Sequence, residues 1–190
     1  MENIRIVSFE KTAFVRFIKD ISANKKKNVD LFHAEALNLW AISKTETIKT
    51  PKVLAIGTED GEEIGYSFLL MEFIEFGDLK DSFWERLAHE LACMHKADSS
   101  FAVKDGKIGF LKDNYIGRIT QLNSGKDTWV EFFRENRLIP QFKMAEKFFE
   151  KDDFDKFDKL LANLDKILVE PEKPALVHGD LWGGNIVCDT

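Results

Sequence analysis

Cysteine is scarce in this chain. Only Cys93 and Cys188 occur among 190 residues, and neither stands in a Cys-x-x-Cys or other ligand spacing. A disulfide framework and a zinc site are therefore not expected, and a reducing, cytosolic setting fits. Long hydrophobic runs are missing as well: no stretch approaches the roughly 20 apolar residues needed to cross a bilayer. Met1 to Arg16 carries charges at Glu2, Arg5, Glu10 and Lys11 with no continuous apolar core, so no signal peptide is expected. Excess basic charge is absent too. The net charge is -6, and the one basic run, Lys25-Lys26-Lys27, is short and flanked by Asn. It reads as a solvated loop, since a surface that tracks nucleic-acid phosphates needs many clustered Lys and Arg. No internal repeat or low-complexity segment is present. What remains is a soluble, cytoplasmic chain with no nucleic-acid or membrane partner.

Core-forming material is ample, with 44% apolar residues and 17 Phe. The length suits one domain or two small lobes sharing a cleft. Ile4 to Phe9 and Ala13 to Lys19 alternate apolar and polar residues and predict two strands of a hairpin linked by Glu10-Lys11-Thr12. A helix capped by Asn28 or Asp30 is expected to run to about Ser43, with Leu31, Phe32, Glu35, Leu39 and Ile42 at helical spacing. Val53 to Thr58 and Ile64 to Phe73 predict a second hairpin around Glu59-Asp60-Gly61-Glu62. Gly77 and the polar run to Ser82 mark a boundary, after which the pattern becomes helical. Trp84, Leu87, Ala88, Leu91, Ala92 and His95 share one expected face, with His95 read as a packed core residue rather than a ligand. Residues 99–127 read as a long ordered loop. Asp127 or Thr128 should cap the next helix, which Pro140 must kink or restart. A last helix is expected after Asp152-Asp153, with Phe154, Phe157, Leu161, Leu164 and Leu168 facing inward and Pro171 and Pro174 beyond it. The order of elements predicts an α+β fold.

The stretch with the most chemistry is Leu176-Val177-His178-Gly179-Asp180-Leu181-Trp182-Gly183-Gly184-Asn185. An apolar strand is expected to enter a His-Gly-Asp turn, and an Asn follows five residues after the Asp. A bare His-Gly-Asp is common in exposed turns. The Asp-x4-Asn spacing adds something more specific, because it suits phosphoryl transfer from ATP. One carboxylate orients an acceptor hydroxyl and takes its proton, and a carboxamide one short loop later ligates Mg²⁺. Two intervening glycines let the backbone turn tightly.

A small sheet lobe, a glycine-marked boundary, a helical lobe and this loop resemble the two-lobe plan of protein-kinase-like phosphotransferases. Gly109-Phe110-Leu111-Lys112-Asp113-Asn114-Tyr115-Ile116-Gly117 with Gln121 and Asn123, then Trp129 to Phe133, then Arg137-Leu138-Ile139-Pro140-Gln141, resembles the fructosamine (ketosamine) kinase family. So does the His-Gly-Asp-Leu-Trp-x-Gly-Asn ending. The resemblance implies ATP-dependent phosphorylation of a sugar hydroxyl on ketosamines, whether small-molecule adducts or glycated proteins. By it Asp180 is the catalytic Asp, Asn185 holds Mg²⁺ and Trp182 packs on the sugar. Lys19, with Arg16 as a competing alignment, anchors the ATP phosphates and pairs with Glu35. The Glu72 carbonyl and the Ile74 N–H border the adenine, and Met71 faces the back of that pocket. The same residues are equally compatible with an ordinary buried strand.

Three departures from the family pattern set further expectations. The family places a strand and a Gly-rich phosphate-covering loop before the position of Ile4. It carries an Asp-Pro-Ala metal ligand a short loop and strand beyond the Asn, and a Ser stands before Gly-Asn where this chain has Gly. Residues 1–76 are thus read as a partial N-lobe lacking the Gly-rich loop. Residues 77–190 are read as a partial helical C-lobe ending just after the catalytic loop, and this chain alone is expected to be inactive. An aminoglycoside- or choline-type small-molecule kinase and a non-catalytic fragment of the kinase remain alternatives.

Overall fold

Period-two alternation produces a four-stranded antiparallel sheet. The computed structural model describes residues 4–9, 13–20, 25–59 and 65–188, and the side chains of 30–57 and 67–188. Strands β1 (Ile4–Phe9), β2 (Ala13–Asp20), β3 (Val53–Glu59) and β4 (Gly65–Glu72) lie in the order β1-β2-β4-β3. Ile4 stands opposite Ile18, Ala13 opposite Glu72, and Val53 opposite Met71. The expected turns at 10–12 and 60–62 lie outside the described residues.

Helix α1 (Lys25–Ser43) packs on β3 and β4. Phe32, Leu69 and Met71 are buried together, with Ala36, Leu39, Val53 and Ile56 against them. The helix begins at Lys25 rather than after a cap at Asn28 or Asp30, so the three lysines form its first turn instead of a loop. Straight-chain lysines lose little rotamer freedom in a helix, and no Gly or Pro interrupts the run.

Helix α2 (Phe83–Lys96) is helical where the sequence places it, but it is rotated from the expected face. Phe83 and Met94 are buried, while Trp84, Ala88, Ala92 and His95 are exposed. Leu87 and Leu91 of the expected face are half-buried, and the buried stripe they share runs through Phe83 and Met94 instead of through Trp84 and His95. The larger Phe and Met side chains win more from burial than Ala does. His95 is therefore a surface residue, not a core one.

Residues 99–127 are ordered. A 3₁₀ turn at Ser100–Ala102 is followed by a two-stranded hairpin of β5 (Asn114–Ile116) and β6 (Ile119–Gln121), closed by Gly117 at φ 58°. Helix α3 (Trp129–Phe133) starts at Thr128, whose Oγ1 accepts the Glu131 N–H at 3.1 Å. Its backbone donors at Trp129 and Val130 give hydrogen bonds of 2.8 and 2.9 Å to the Glu170 carboxylate. A π-helical turn, Arg134–Leu138, then leads into α4 (Ile139–Ala145). The wider turn takes up the constraint of Pro140 at the start of α4, where its missing N–H costs least. Phe142 stacks on Phe149 and Phe157 and meets Phe154 edge-on.

The expected final helix is broken into α5 (Lys151–Leu161) and α6 (Leu164–Ile167). At the break the Asn163 carboxamide donates to the Lys159 carbonyl at 2.8 Å, a side-chain bond that competes with the helical ladder. At the start of α5 Asp153 accepts from the Glu150 N–H at 3.1 Å and from Lys156 at 3.3 Å. The backbone bond first, then the lysine, holds its carboxyl below the usual range. A depressed carboxyl contributes stability above its unfolded value and loses it as pH falls through the lower folded one. Acid titration followed by far-UV circular dichroism should show helix lost below about pH 4, and Asp153→Asn should remove part of that loss. No strand forms at Leu176 and Val177, where the expected strand finds no partner among the described residues.

The described chain falls into two compact units, Met1–Ala97 with Leu176–Thr190, and Asp98–Ala175. Helix α2 and the His178–Asn185 loop belong with the sheet. Among the described residues no helix is long and apolar enough to cross a membrane.

Candidate functional site

The His178–Asn185 loop closes on itself. Gly179 takes φ 79°, a left-handed conformation that favours glycine. The following Asp180 N–H donates to His178 Nδ1 at 3.3 Å. A single 3₁₀ turn, Gly183–Asn185, brings the chain back, with the Asn185 N–H on the Trp182 carbonyl at 2.9 Å. Asn185 Nδ2 then donates to the Asp180 carbonyl at 2.8 Å and to its Oδ2 at 3.2 Å. The two residues singled out by spacing are thus brought into contact, and both are exposed. With Nδ2 spent on Asp180, Asn185 Oδ1 has no partner among the described residues and is open to a cation.

The same unit holds the segment Met71 to Ile74 that the resemblance places beside the adenine. Strand β4 ends at Glu72, whose N–H donates to the Lys52 carbonyl at 2.8 Å and whose Oε2 accepts the Lys52 N–H at 3.3 Å. Past the strand end, the Ile74 N–H makes no hydrogen bond with the described residues. Met71, 9% exposed, packs against Phe32 and Leu69 in the sheet core. The chain after Ile74 is joined to the chain after the loop. The Gly77 N–H donates to the Cys188 carbonyl at 2.8 Å, and Cys188 Sγ donates to the Asp78 carbonyl at 3.3 Å.

Glu35 sits half-buried on α1. The side chains of Lys19 and Arg16 lie outside the described residues, as does Asp189, so the pairing with Glu35 is not among the geometry described. Trp182 is 63% exposed, and Val177, Leu181 and Val187 around it are exposed too.

In the other unit a buried polar network organises the segment that carries the Asp-Asn-Tyr-Ile-Gly motif. Asn123 is 3% exposed. Its N–H donates to Asp113 Oδ1 at 2.7 Å, and its Nδ2 to the Lys112 carbonyl at 3.1 Å and to Asn114 Oδ1 at 2.9 Å. Its Oδ1 accepts from Arg137 Nη2 at 2.8 Å. Arg137 also reaches the Leu122 and Asn136 carbonyls and lies 4.6 Å from the centre of the Phe132 ring. Burial pulls its guanidinium below the usual value, and the Asp113 carboxylate partly offsets that. Buried Asn136 bonds both the hydroxyl and the carbonyl of Ser124. The π turn aims Asn136 and Arg137 at this loop. A cavity of about 320 Å³ borders the network, lined by Lys104, Gly109, Phe110, Lys112, Asp113 and Ser124 among others. Asn123→Ala should destabilise the protein by about 3 kcal/mol, since it leaves several buried groups unpaired. Urea unfolding would measure it.

Sequence reasoning misses Glu170 and Asn136. Glu170 meets α3 across 40 residues of sequence, and no local pattern marks it. Asn136 becomes functional in the network only through the π turn.

A family model described as fructosamine kinase matches residues 3–190. A chloroplastic protein-ribulosamine 3-kinase of Oryza sativa subsp. indica is 36% identical over 172 residues, which cover 90% of this chain and 48% of that protein. A ketosamine-3-kinase of Mus musculus is 30% identical over 181 residues, 84% of this chain and 57% of that protein. A solved structure from Haemophilus somnus 129PT, assigned as a fructosamine-3-kinase, matches with a TM-score of 0.76 at 28% identity. It covers 100% of this chain and 59% of that one. The fold is the α+β, protein-kinase-like fold of such structures. The chain spans about half the length of the curated relatives it matches.

Proposed function

The chain belongs to the fructosamine kinase family, and from that membership we propose that the protein carrying it phosphorylates a sugar hydroxyl of ketosamines at the expense of ATP. The substrates proposed are fructosamine and ribulosamine adducts, on small amines or on protein side chains, as the names of the rice and mouse relatives suggest. The observation that carries the reading is the contact between Asp180 and Asn185 in an exposed loop.

In this reading the Asp180 carboxylate orients the acceptor hydroxyl and takes its proton. The hydroxyl oxygen bonds to the γ-phosphorus as the bond to the bridging oxygen breaks, giving a phosphate ester and ADP. Asn185 Nδ2 fixes the Asp180 carboxylate, and its free Oδ1 suits a hard cation. Among the described residues no group of three or more His, Cys, Asp or Glu could hold a metal. In this reading the Asn185 Oδ1 would be one oxygen ligand of Mg²⁺, with nucleotide phosphates and water among the others. The ion supplies charge neutralisation on the phosphates. Lys19, paired with Glu35, would hold the α- and β-phosphates. The Ile74 N–H and the Glu72 carbonyl would meet the adenine edge, with Met71 behind it, and Trp182 would pack on the sugar. The scarcity of cysteine, Cys93 and Cys188 alone, suits the cytoplasm, which we propose as the setting.

The test is a substrate panel with Mg-ATP on the whole protein that carries this chain. Ribulosyl-lysine and fructosyl-lysine should be phosphorylated, and an aminoglycoside and choline should not. Transfer to either of the latter, with none to the ketosamines, would replace this reading.

A further inference from the structure

Trp182 is a large apolar side chain left 63% exposed, and what lies beneath its ring decides where it stands. A Cβ built on Gly184 would sit 2.5 Å from both Cη2 and Cζ2 of the Trp182 indole and 2.9 Å from its Cζ3. Such distances are far inside van der Waals contact, so the ring can lie there only because residue 184 has no side chain. The neighbouring glycine differs: a Cβ at Gly183 meets nothing within 4 Å. Neither glycine has the left-handed backbone found at Gly179. The requirement at 184 is thus for space rather than for backbone freedom.

We propose that Gly184 is a positioning residue for substrate specificity: it seats the Trp182 indole across the loop backbone, leaving the ring's outer face as a platform for the sugar. This rests on the proposed role of Trp182 in ketosamine binding. The benzo edge folds back over the turn that carries Asn185 and its bond to Asp180, so the platform is tied to the reacting groups by covalent geometry. A side chain at 184 pushes the flexible ring aside without strain in the loop. It alters how the sugar is held while the Asp180–Asn185 contact stays in place.

Two measurements separate this from its alternatives. With 5-fluorotryptophan incorporated at the four Trp positions, the Trp182 ¹⁹F resonance is assigned by its loss in Trp182→Phe. It should move in Gly184→Ala and stay in place in Gly183→Ala. In steady-state kinetics, Gly184→Ala should raise the KM for ribulosyl-lysine roughly three- to tenfold, the size of one aromatic packing contact. The KM for ATP should stay within about twofold, because uniform binding of the nucleotide is untouched. Added to Trp182→Ala, the glycine substitution should have no further effect. An unmoved resonance in Gly184→Ala, or an equal shift in Gly183→Ala, overturns the contact. A KM effect that persists without Trp182 overturns the assigned role, since the glycine would then act through the loop. If Trp182→Ala leaves the ketosamine KM unchanged while wild-type turnover is robust, the platform fails and the kinase reading stands. If the whole protein that carries this chain transfers no phosphate to ketosamines, both fail together.

Discussion

In the whole protein that carries this chain, Asp180→Asn is expected to lower turnover by about 10³-fold, within the range that a positioned general base contributes. The substitution keeps the shape of the side chain and an oxygen that can still face Asn185 Nδ2, now 3.2 Å from Oδ2. What it removes is the capacity to accept the hydroxyl proton. ATP affinity should change little, because the interaction belongs to the acceptor side. A loss of kcat with an unchanged KM for ATP is the signature of an interaction made in the transition state. Equal losses in kcat and in nucleotide binding would place Asp180 on the phosphates instead.

The second large effect concerns Asn185. Its Nδ2 makes two bonds to Asp180, of 2.8 and 3.2 Å, and its Oδ1 is open. Asn185→Ala removes the orienting donor and the proposed metal ligand together. A loss of about 10²-fold or more in kcat is expected, comparable to removing one preorganised partner of developing charge. Raising Mg²⁺ should recover part of it, since weakened metal binding yields to mass action. The orienting part should not recover. A Mg²⁺ titration of both proteins separates the two, and full recovery would mean that the Asp180 contact contributes nothing.

The loop at 178–185 could be read from sequence because its chemistry is local. A turn glycine, a carboxylate and a carboxamide one turn later specify their own geometry, and Gly179 and the 3₁₀ turn supply it. The sheet could be read because period-two alternation fixes which face is buried, and β2 and β4 pair throughout their length. Helix α2 was another matter. Its two stripes, one through Phe83 and Met94 and one through Trp84 and His95, are one residue out of phase. Helical periodicity alone cannot choose between neighbours so close on the helix surface. The break between α5 and α6 depends on one Asn163 side chain choosing a backbone carbonyl, which a pattern of apolar positions does not encode.

The network around Asn123 shows the same limit from the other direction. Its partners come from 112–114 and from 136–137, and a π turn delivers the second set. A regular α-helix through Pro140 would have placed Arg137 on a different heading. The motif residues were visible in the sequence, but their purpose as a buried hydrogen-bonded clasp was not. Glu170 is similar. Its carboxylate caps α3 and so ties the segment before the His178 loop to a helix much earlier in the chain.

The claim that Asp180 serves phosphoryl transfer to a sugar is tested most directly by ³¹P NMR of the whole protein that carries this chain, with Mg-ATP and ribulosyl-lysine, run beside Asp180→Asn. The account predicts that a phosphate monoester resonance on the sugar grows with wild-type protein, matched by ADP, and is nearly absent with the variant. Ester formation at the same rate in both, or ATP consumption that yields inorganic phosphate and no ester, would contradict it.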